Sequence, residues 1–426
     1  MSKTKLKIYF LSAVFVLVSL PFQITAQEKV GYEFLTAKNK NERQTKTVDL
    51  TEEVHKNCNQ SLKRQIGKNY VEIKFPVGFS SEAESILDSL EKSVKKTRDI
   101  LQPLQKEGLR FYLLRLNEVP LNYKMFDVLK NENFYLHLFV FKEKRELSLE
   151  CLDDDKLCKS IYSTIPHELT HDAIGDLIDH KNLRWFKEGL CNYVGNLVSY
   201  DFMPSVVWTK FEENVPKVAL HKTEIRANLW NWNQSADENN INAVRNQWFR
   251  YKASEQLVRL IVEESKKKGI ENPLEVLFGE LKKFQATNGK AAKSEDLLSI
   301  IQQKLKVNPK ELGVLSENTQ RELVKDAVKT LSRNDLTNAD KYYALIILSS
   351  IEEVPLSVDS LNFLLKEIYS SKEANFFRSL AAKALSIRVK QNEFDTAIEK
   401  FLAADNVSKG LNRKKVKKDI EELSIR

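Results

Sequence analysis

Apolar and polar positions along the chain change period at three places, and those changes predict its elements. Tyr70-Val71-Glu72-Ile73-Lys74-Phe75 alternates with period two and reads as a strand. Ser80 or Ser81 then caps an amphipathic helix with Ile86, Leu87, Leu90, Val94 and Ile100 at helical spacing, ending near Pro103. Leu109–Leu116 and Phe134–Phe141 are β-prone runs of strand length, which gives the order strand, helix, strand, strand. Beyond residue 150 the period is helical throughout. Ile161–Ile178 and Leu183–Val198 read as helices, a Trp- and Asn-rich stretch from Trp230 to Trp248 interrupts them, and Tyr251–Glu264 resumes. From about Ser294 onward, helices of 10–20 residues are joined by short polar loops, as in a helical bundle or a HEAT-like array. The pattern predicts an α+β fold and three segments after a leader: a polar lead-in over 27–64, a mixed domain over 65–290 and an α-helical domain over 291–426.

The leader itself is tripartite. Lys3, Lys5 and Lys7 precede a nearly unbroken apolar run from Ile8 to Phe22, and Ile24-Thr25-Ala26 offers a small-residue cleavage point. Residues 1–26 therefore read as a secretory signal peptide, too short in its apolar part for a spanning helix. The expectation is a periplasmic or secreted protein with no stable membrane insertion after cleavage.

Composition narrows the class. With 42% apolar residues among 426, the chain has enough to bury a core, and 12 glycines and 10 prolines are few for a many-stranded sandwich. The net charge of +8 falls once the leader lysines are removed and is spread over mixed-sign stretches, so no nucleic-acid partner is expected. Four cysteines, Cys58, Cys151, Cys158 and Cys191, allow one or two disulfides in an oxidising compartment, with Cys151 and Cys158 the nearest pair in sequence.

The chemistry concentrates in His167-Glu168-Leu169-Thr170-His171, an HExxH. Residues four apart share a helix face, so both imidazoles can reach one metal from adjacent turns, while Glu168 is rotated about 100° from His167 and stands beside the metal as a base. Apolar flanks at Ile161, Ile165, Leu169, Ile174 and Leu177 fit a buried helix; Pro166 either opens that helix or kinks it. A catalytic zinc takes three protein ligands and keeps one position open. A metzincin would need glycine and histidine where Ile174 and Leu177 stand, which excludes that class. Asp172, Asp176 and His180 are nearby donors, but the two aspartates share the helix of His171 and His180 sits at its end.

Trp185-Phe186-Lys187-Glu188-Gly189-Leu190-Cys191-Asn192-Tyr193 is the better source of a third ligand, because it resembles the W-x-x-E-G-x-A-x-Y segment of gluzincins. These are HExxH peptidases whose third ligand is a glutamate on the next helix; HELTH also coincides with the thermolysin-type form of the motif. The resemblance covers roughly residues 65–265. It implies a zincin-like upper lobe of small mixed sheet plus helices, a helical lower lobe, and Zn2+ held by His167, His171 and Glu188. It also implies Glu168 as the general base. Tyr251, opening a segment similar to the family's Y-x-x-S-x-x-L/F-V, is implied as donor to the oxyanion, and Trp230 and Trp232 are candidates for the cleft wall.

The sequence departs from the family at two points. Cys191 stands where the family has a small alanine, as a packing residue, a metal contact or a regulatory thiol. The aminopeptidase G-x-M-E-N motif is missing, so the amine anchor of an exopeptidase is not expected. Asn192, one turn beyond Glu188, is either a partner of a ligand histidine or a solvent-facing side chain. The resulting expectation is an exported zinc metallopeptidase acting on peptide or protein substrates, with the C-terminal helices as a protein-partner surface. The alternative is a non-catalytic, zinc-bearing binding or scaffold protein.

Overall fold

The structure, a computed structural model, describes residues 58–101, 108–115, 134–141, 160–180, 182–203, 210–232, 241–333, 335–369, 375–404 and 410–425. Residues 1–57, where a signal peptide and most of the polar lead-in are expected, and Cys151 with Cys158 lie outside the described residues. The fold is mixed α and β. Its described part divides into two compact units, one formed by the residues up to Trp208 with Leu257–Leu312, the other by Thr209–Gln256 with Gly313–Arg426. These units interleave along the chain, each drawing on two stretches of sequence. Among the described residues, no helix is long and apolar enough to cross a membrane.

The first unit opens on a sheet of four strands in the order β1-β2-β3-β4, with β1 Gln60–Ile66, β2 Asn69–Phe75, β3 Gly108–Arg115 and β4 Phe134–Phe141. β1 pairs antiparallel with β2, whereas β2–β3 and β3–β4 are parallel, in register Ile73↔Phe111 and Phe111↔His137. A parallel pair needs a crossover. Helix α1, Ser80–Leu101, supplies it between β2 and β3 and buries Ile86, Leu87, Leu90 and Val94.

β1 is a strand the hydrophobic pattern did not announce, and it corrects the reading of 27–64 as lead-in throughout. Its sequence QSLKRQI is polar and mostly exposed, as an edge strand should be. Charge couples it to α1: Arg64 pairs with Glu84, Asp88 and Glu91 at successive turns of that helix.

α1 packs against β1 and β2, and also against the two helices that carry the HExxH and the Glu188 segment. The first of these is α2, Ile165–Ile174, preceded by a π turn at Ser160–Thr164 and followed by a 3-10 turn at Gly175–Leu177. The second is α3, Arg184–Phe202. Trp185, Phe186, Leu190, Val194 and Val198 are all buried there, and so are Glu188, Asn192 and Ser199. A helix buried around so much of its circumference belongs to a core.

The second unit is helical: α4 Lys210–His221, α5 Thr223–Leu229, the first part of α6 Ile241–Lys267, and, after α7 Pro273–Asn288 and α8 Ser294–Lys304 of the first unit, α9 Glu317–Leu331, α10 Asn338–Leu348, α11 Val358–Tyr369, α12 Asn375–Ser386, α13 Asn392–Leu402 and α14 Arg413–Ile425. From α9 onward each helix packs against another one or two places away in the chain. Arg388 is fully buried among them and donates to the carbonyls of Leu348, Ile351 and Ala384. A guanidinium there satisfies carbonyls left open where α10 ends and favours the negative end of the helix dipole.

Candidate metal centre

Pro166 explains how the HExxH helix begins. Its ring removes one N–H and crowds the carbonyl of residue 162. The chain answers with the π turn at Ser160–Thr164, after which Pro166 occupies the first turn of α2. The two alternatives posed by the sequence are thus both partly realised. Two carbonyls of the π turn are taken up by hydroxyls from neighbouring helices: Ser93 donates to Ile161 at 2.6 Å and Ser199 to Tyr162 at 2.9 Å. α3 can approach this turn closely because residue 195 is glycine; a Cβ there would lie 2.7 Å from the carbonyl oxygen of Ser163.

α2 then ends one turn after His171. Gly175 has φ 43°, a conformation favoured by glycine, and its N–H donates to the His171 carbonyl. The following residues are tied to the segment after α7. Asp179 donates to Ala292 at 2.8 Å, Ala292 donates to Leu177 at 3.0 Å, and the Gln285 amide donates to Asp176 O at 2.9 Å. His180 is exposed on this tether, away from the role of ligand, and Asp176 is exposed as well.

The helices α2 and α3 bring three donor atoms together. Nε2 of His171 lies 3.2 Å from Nε2 of His167. Oε2 of Glu188 lies 3.6 Å from Nε2 of His171 and 3.7 Å from Nε2 of His167. Tetrahedral zinc sites have bonds of about 2.0–2.1 Å, which separates their ligand atoms by about 3.3 Å. A triangle with sides of 3.2, 3.6 and 3.7 Å matches that spacing closely enough for one ion to touch all three atoms.

Each ring is held from behind. Oδ1 of Asn192 is 3.0 Å from Nδ1 of His167. A carbonyl oxygen only accepts, so Nδ1 carries the hydrogen and Nε2 keeps its lone pair for a metal. Asn192 is 8% exposed, which decides between the partner and the solvent-facing reading in favour of the partner. Sγ of Cys191 is 3.2 Å from Nδ1 of His171. Ligand atoms of Cys191, His167 and His171 all lie within 4.8 Å of one another, so the thiol is a rival third donor to Glu188. The thiol, however, stands at the Nδ1 end of the His171 ring, whereas Glu188 stands at the Nε2 end where the two imidazoles converge.

Electrostatics favour a cation between these groups. Burial, reinforced by the charge of His171, lowers the His167 imidazole below its ordinary value, which keeps it neutral and able to donate a lone pair. Burial alone would raise the Glu188 carboxyl. The hydrogen bond and charge of His171, with His167 and Lys187, outweigh it and bring the group down to about 2. Lys187 Nζ is 3.6 Å from the other carboxylate oxygen of Glu188. Burial, with the charges of Glu188 and Glu168, raises the Cys191 thiol well above its ordinary value, so the sulfur stays protonated. Glu168 is half-buried, next to His167 on α2, and its charge acts on both His167 and Cys191.

No protein-family model and no curated protein matches the chain. The centre is therefore read from its own geometry.

Two further candidates fall in the second unit. Tyr251 and Trp232 are buried there and meet edge to face, with ring centroids 4.8 Å apart. His221 is structural: its Nδ1 accepts the Leu315 N–H at 3.3 Å. Cys58 is buried and donates weakly to the carbonyl of Leu113.

Proposed function

We propose that the chain is an exported zinc-dependent peptidase of gluzincin type, with the metal held by His167, His171 and Glu188 and with Glu168 as general base. The observation carrying this reading is the triangle of Nε2, Nε2 and Oε2 atoms, contributed by an HExxH and by a glutamate of the next helix. The small mixed sheet ahead of these helices is compatible with a zincin-like upper lobe. The leader over residues 1–26 supports export.

Zinc bound at this centre would polarise the scissile carbonyl and bring the pKa of a coordinated water towards about 7. The chain supplies the rest. Glu168, at the edge of the centre, takes the proton from the attacking water and returns it to the leaving amine. Asn192 keeps the His167 ring in the tautomer with a free Nε2. The substrates are peptide or protein chains, and the C-terminal helices offer a surface for a protein partner.

The test is zinc stoichiometry of the mature protein together with hydrolysis of unstructured protein substrates, with and without chelator, beside Glu168→Gln. Zinc retained and hydrolysis lost in the variant is the expected result, with a rate loss of about 100-fold or more. Full activity in Glu168→Gln overturns the mechanism. Zinc bound without any hydrolysis by the native protein turns the assignment into that of a zinc-bearing binding protein.

A further inference from the structure

Cys191 is fully buried, and its sulfur faces a ring nitrogen of a residue from another helix. We infer that Cys191 is a positioning residue for the metal centre, accepting the Nδ1–H of His171 through Sγ so that Nε2 is turned towards Glu188 and His167. This inference rests on the reading of the site as a zinc centre.

Three observations carry it. The first is the side of the ring. Sγ lies 3.2 Å from Nδ1, while Nε2 at the far end of the same ring lies 3.2 Å from His167 Nε2 and 3.6 Å from Glu188 Oε2. A zinc–sulfur bond is about 2.3 Å long, so an ion at the Nε2 vertex is not also within bonding reach of a sulfur behind Nδ1.

The second observation is the order of residues on α3. Glu188, Cys191 and Asn192 occupy positions i, i+3 and i+4, which share one helix face. One turn of α3 thus presents the carboxylate and a partner for each imidazole: Asn192 for His167 and Cys191 for His171. An imidazole that ligates through one nitrogen usually donates its other N–H to such a partner.

The third is residue chemistry. The sulfur of a cysteine is a weak hydrogen-bond acceptor and can take a ring N–H in the place where a carboxylate is often found.

The experiment compares mature wild-type protein with Cys191→Ala, Cys191→Val and Cys191→Ser. Zinc affinity is measured by competition with a chromogenic chelator, cobalt-loaded samples give the absorption spectrum, and the melting temperature of each metal-free form reports folding. Ala and Val are expected to lose affinity alike, by about 10–100-fold, while Ser, which keeps an acceptor, stays within a few-fold of wild type. The cobalt spectrum of the wild type should show no sulfur-to-cobalt charge-transfer band. A packing role would instead spare Val, which fills the volume, and penalise Ala; that outcome overturns the inference, as does unchanged affinity in both. A charge-transfer band lost in Cys191→Ala would make the thiol a ligand and also overturns it. If the wild type binds no zinc, the proposed function falls first and the inference with it. Zinc bound equally by all four proteins removes the inference alone.

Discussion

Oδ1 of Asn192 sits 3.0 Å from Nδ1 of His167, so a side chain on α3 takes the Nδ1–H of an imidazole on α2 and leaves its Nε2 on the side of Glu188 and His171. Replacing Asn192 with Ala removes the acceptor and frees the ring to rotate or to place its hydrogen on Nε2. Zinc affinity should fall by about 10–100-fold, with the fold retained. Asn192→Asp keeps the acceptor and should bind zinc at least as tightly as wild type. Equal affinity of Asn192→Ala and wild type, measured by chelator competition, would show that His167 needs no such partner.

Glu188 is expected to govern both metal binding and acid stability. Glu188→Ala should lose stoichiometric zinc, and unchanged zinc content would move the third ligand elsewhere. In the metal-free protein the Glu188 carboxyl stands near 2, below its ordinary 4.5, through His171, His167 and Lys187. A depressed folded-state pKa stabilises the fold above the unfolded value and stops doing so as the pH falls through the folded one. The melting-temperature advantage of wild type over Glu188→Gln should therefore be fully present above pH 4.5 and disappear towards pH 2. An advantage that persists or grows down to pH 2 contradicts the ion-pairing of this carboxylate.

Gly195 should tolerate no side chain. A methyl group there meets the Ser163 carbonyl oxygen, a backbone atom that cannot swing aside, so α3 must shift from the π turn. Gly195→Ala is expected to destabilise by about 1–3 kcal/mol as an overpacked core does, and to weaken zinc binding because Glu188 moves with α3. Thermal unfolding of metal-free and zinc-loaded protein checks both parts. Helix propensity alone would give the opposite sign, a stabilisation by up to about 1 kcal/mol.

Local spacing made part of this protein legible from its residues alone. The i to i+4 spacing of His167 and His171 puts both rings on one helix face whatever the rest of the fold does, because 3.6 residues per turn is a property of the backbone. Period-two alternation marked β2, and amphipathic spacing marked α1 over Ser80–Leu101, for the same local reason. β1 escaped notice because an edge strand needs no apolar face when charges such as Arg64 tie it to a neighbouring helix.

Tertiary structure alone decided the rest. Sixteen residues intervene between His171 and Glu188, and only the packing of α2 on α3 brings the carboxylate oxygen to 3.6 Å from the ring. Spacing along one helix left Asn192 facing either solvent or protein; burial against His167 settled it. Cys191 could be filler, ligand or ring partner by residue type, and the end of the His171 ring it meets distinguishes them. Pro166 could begin or bend a helix, and the outcome depended on Ser93 and Ser199 hydroxyls arriving from α1 and α3 to satisfy the π turn's carbonyls. Periodicity is a property of neighbours along the chain, whereas a three-atom site is a property of which faces the packing brings together.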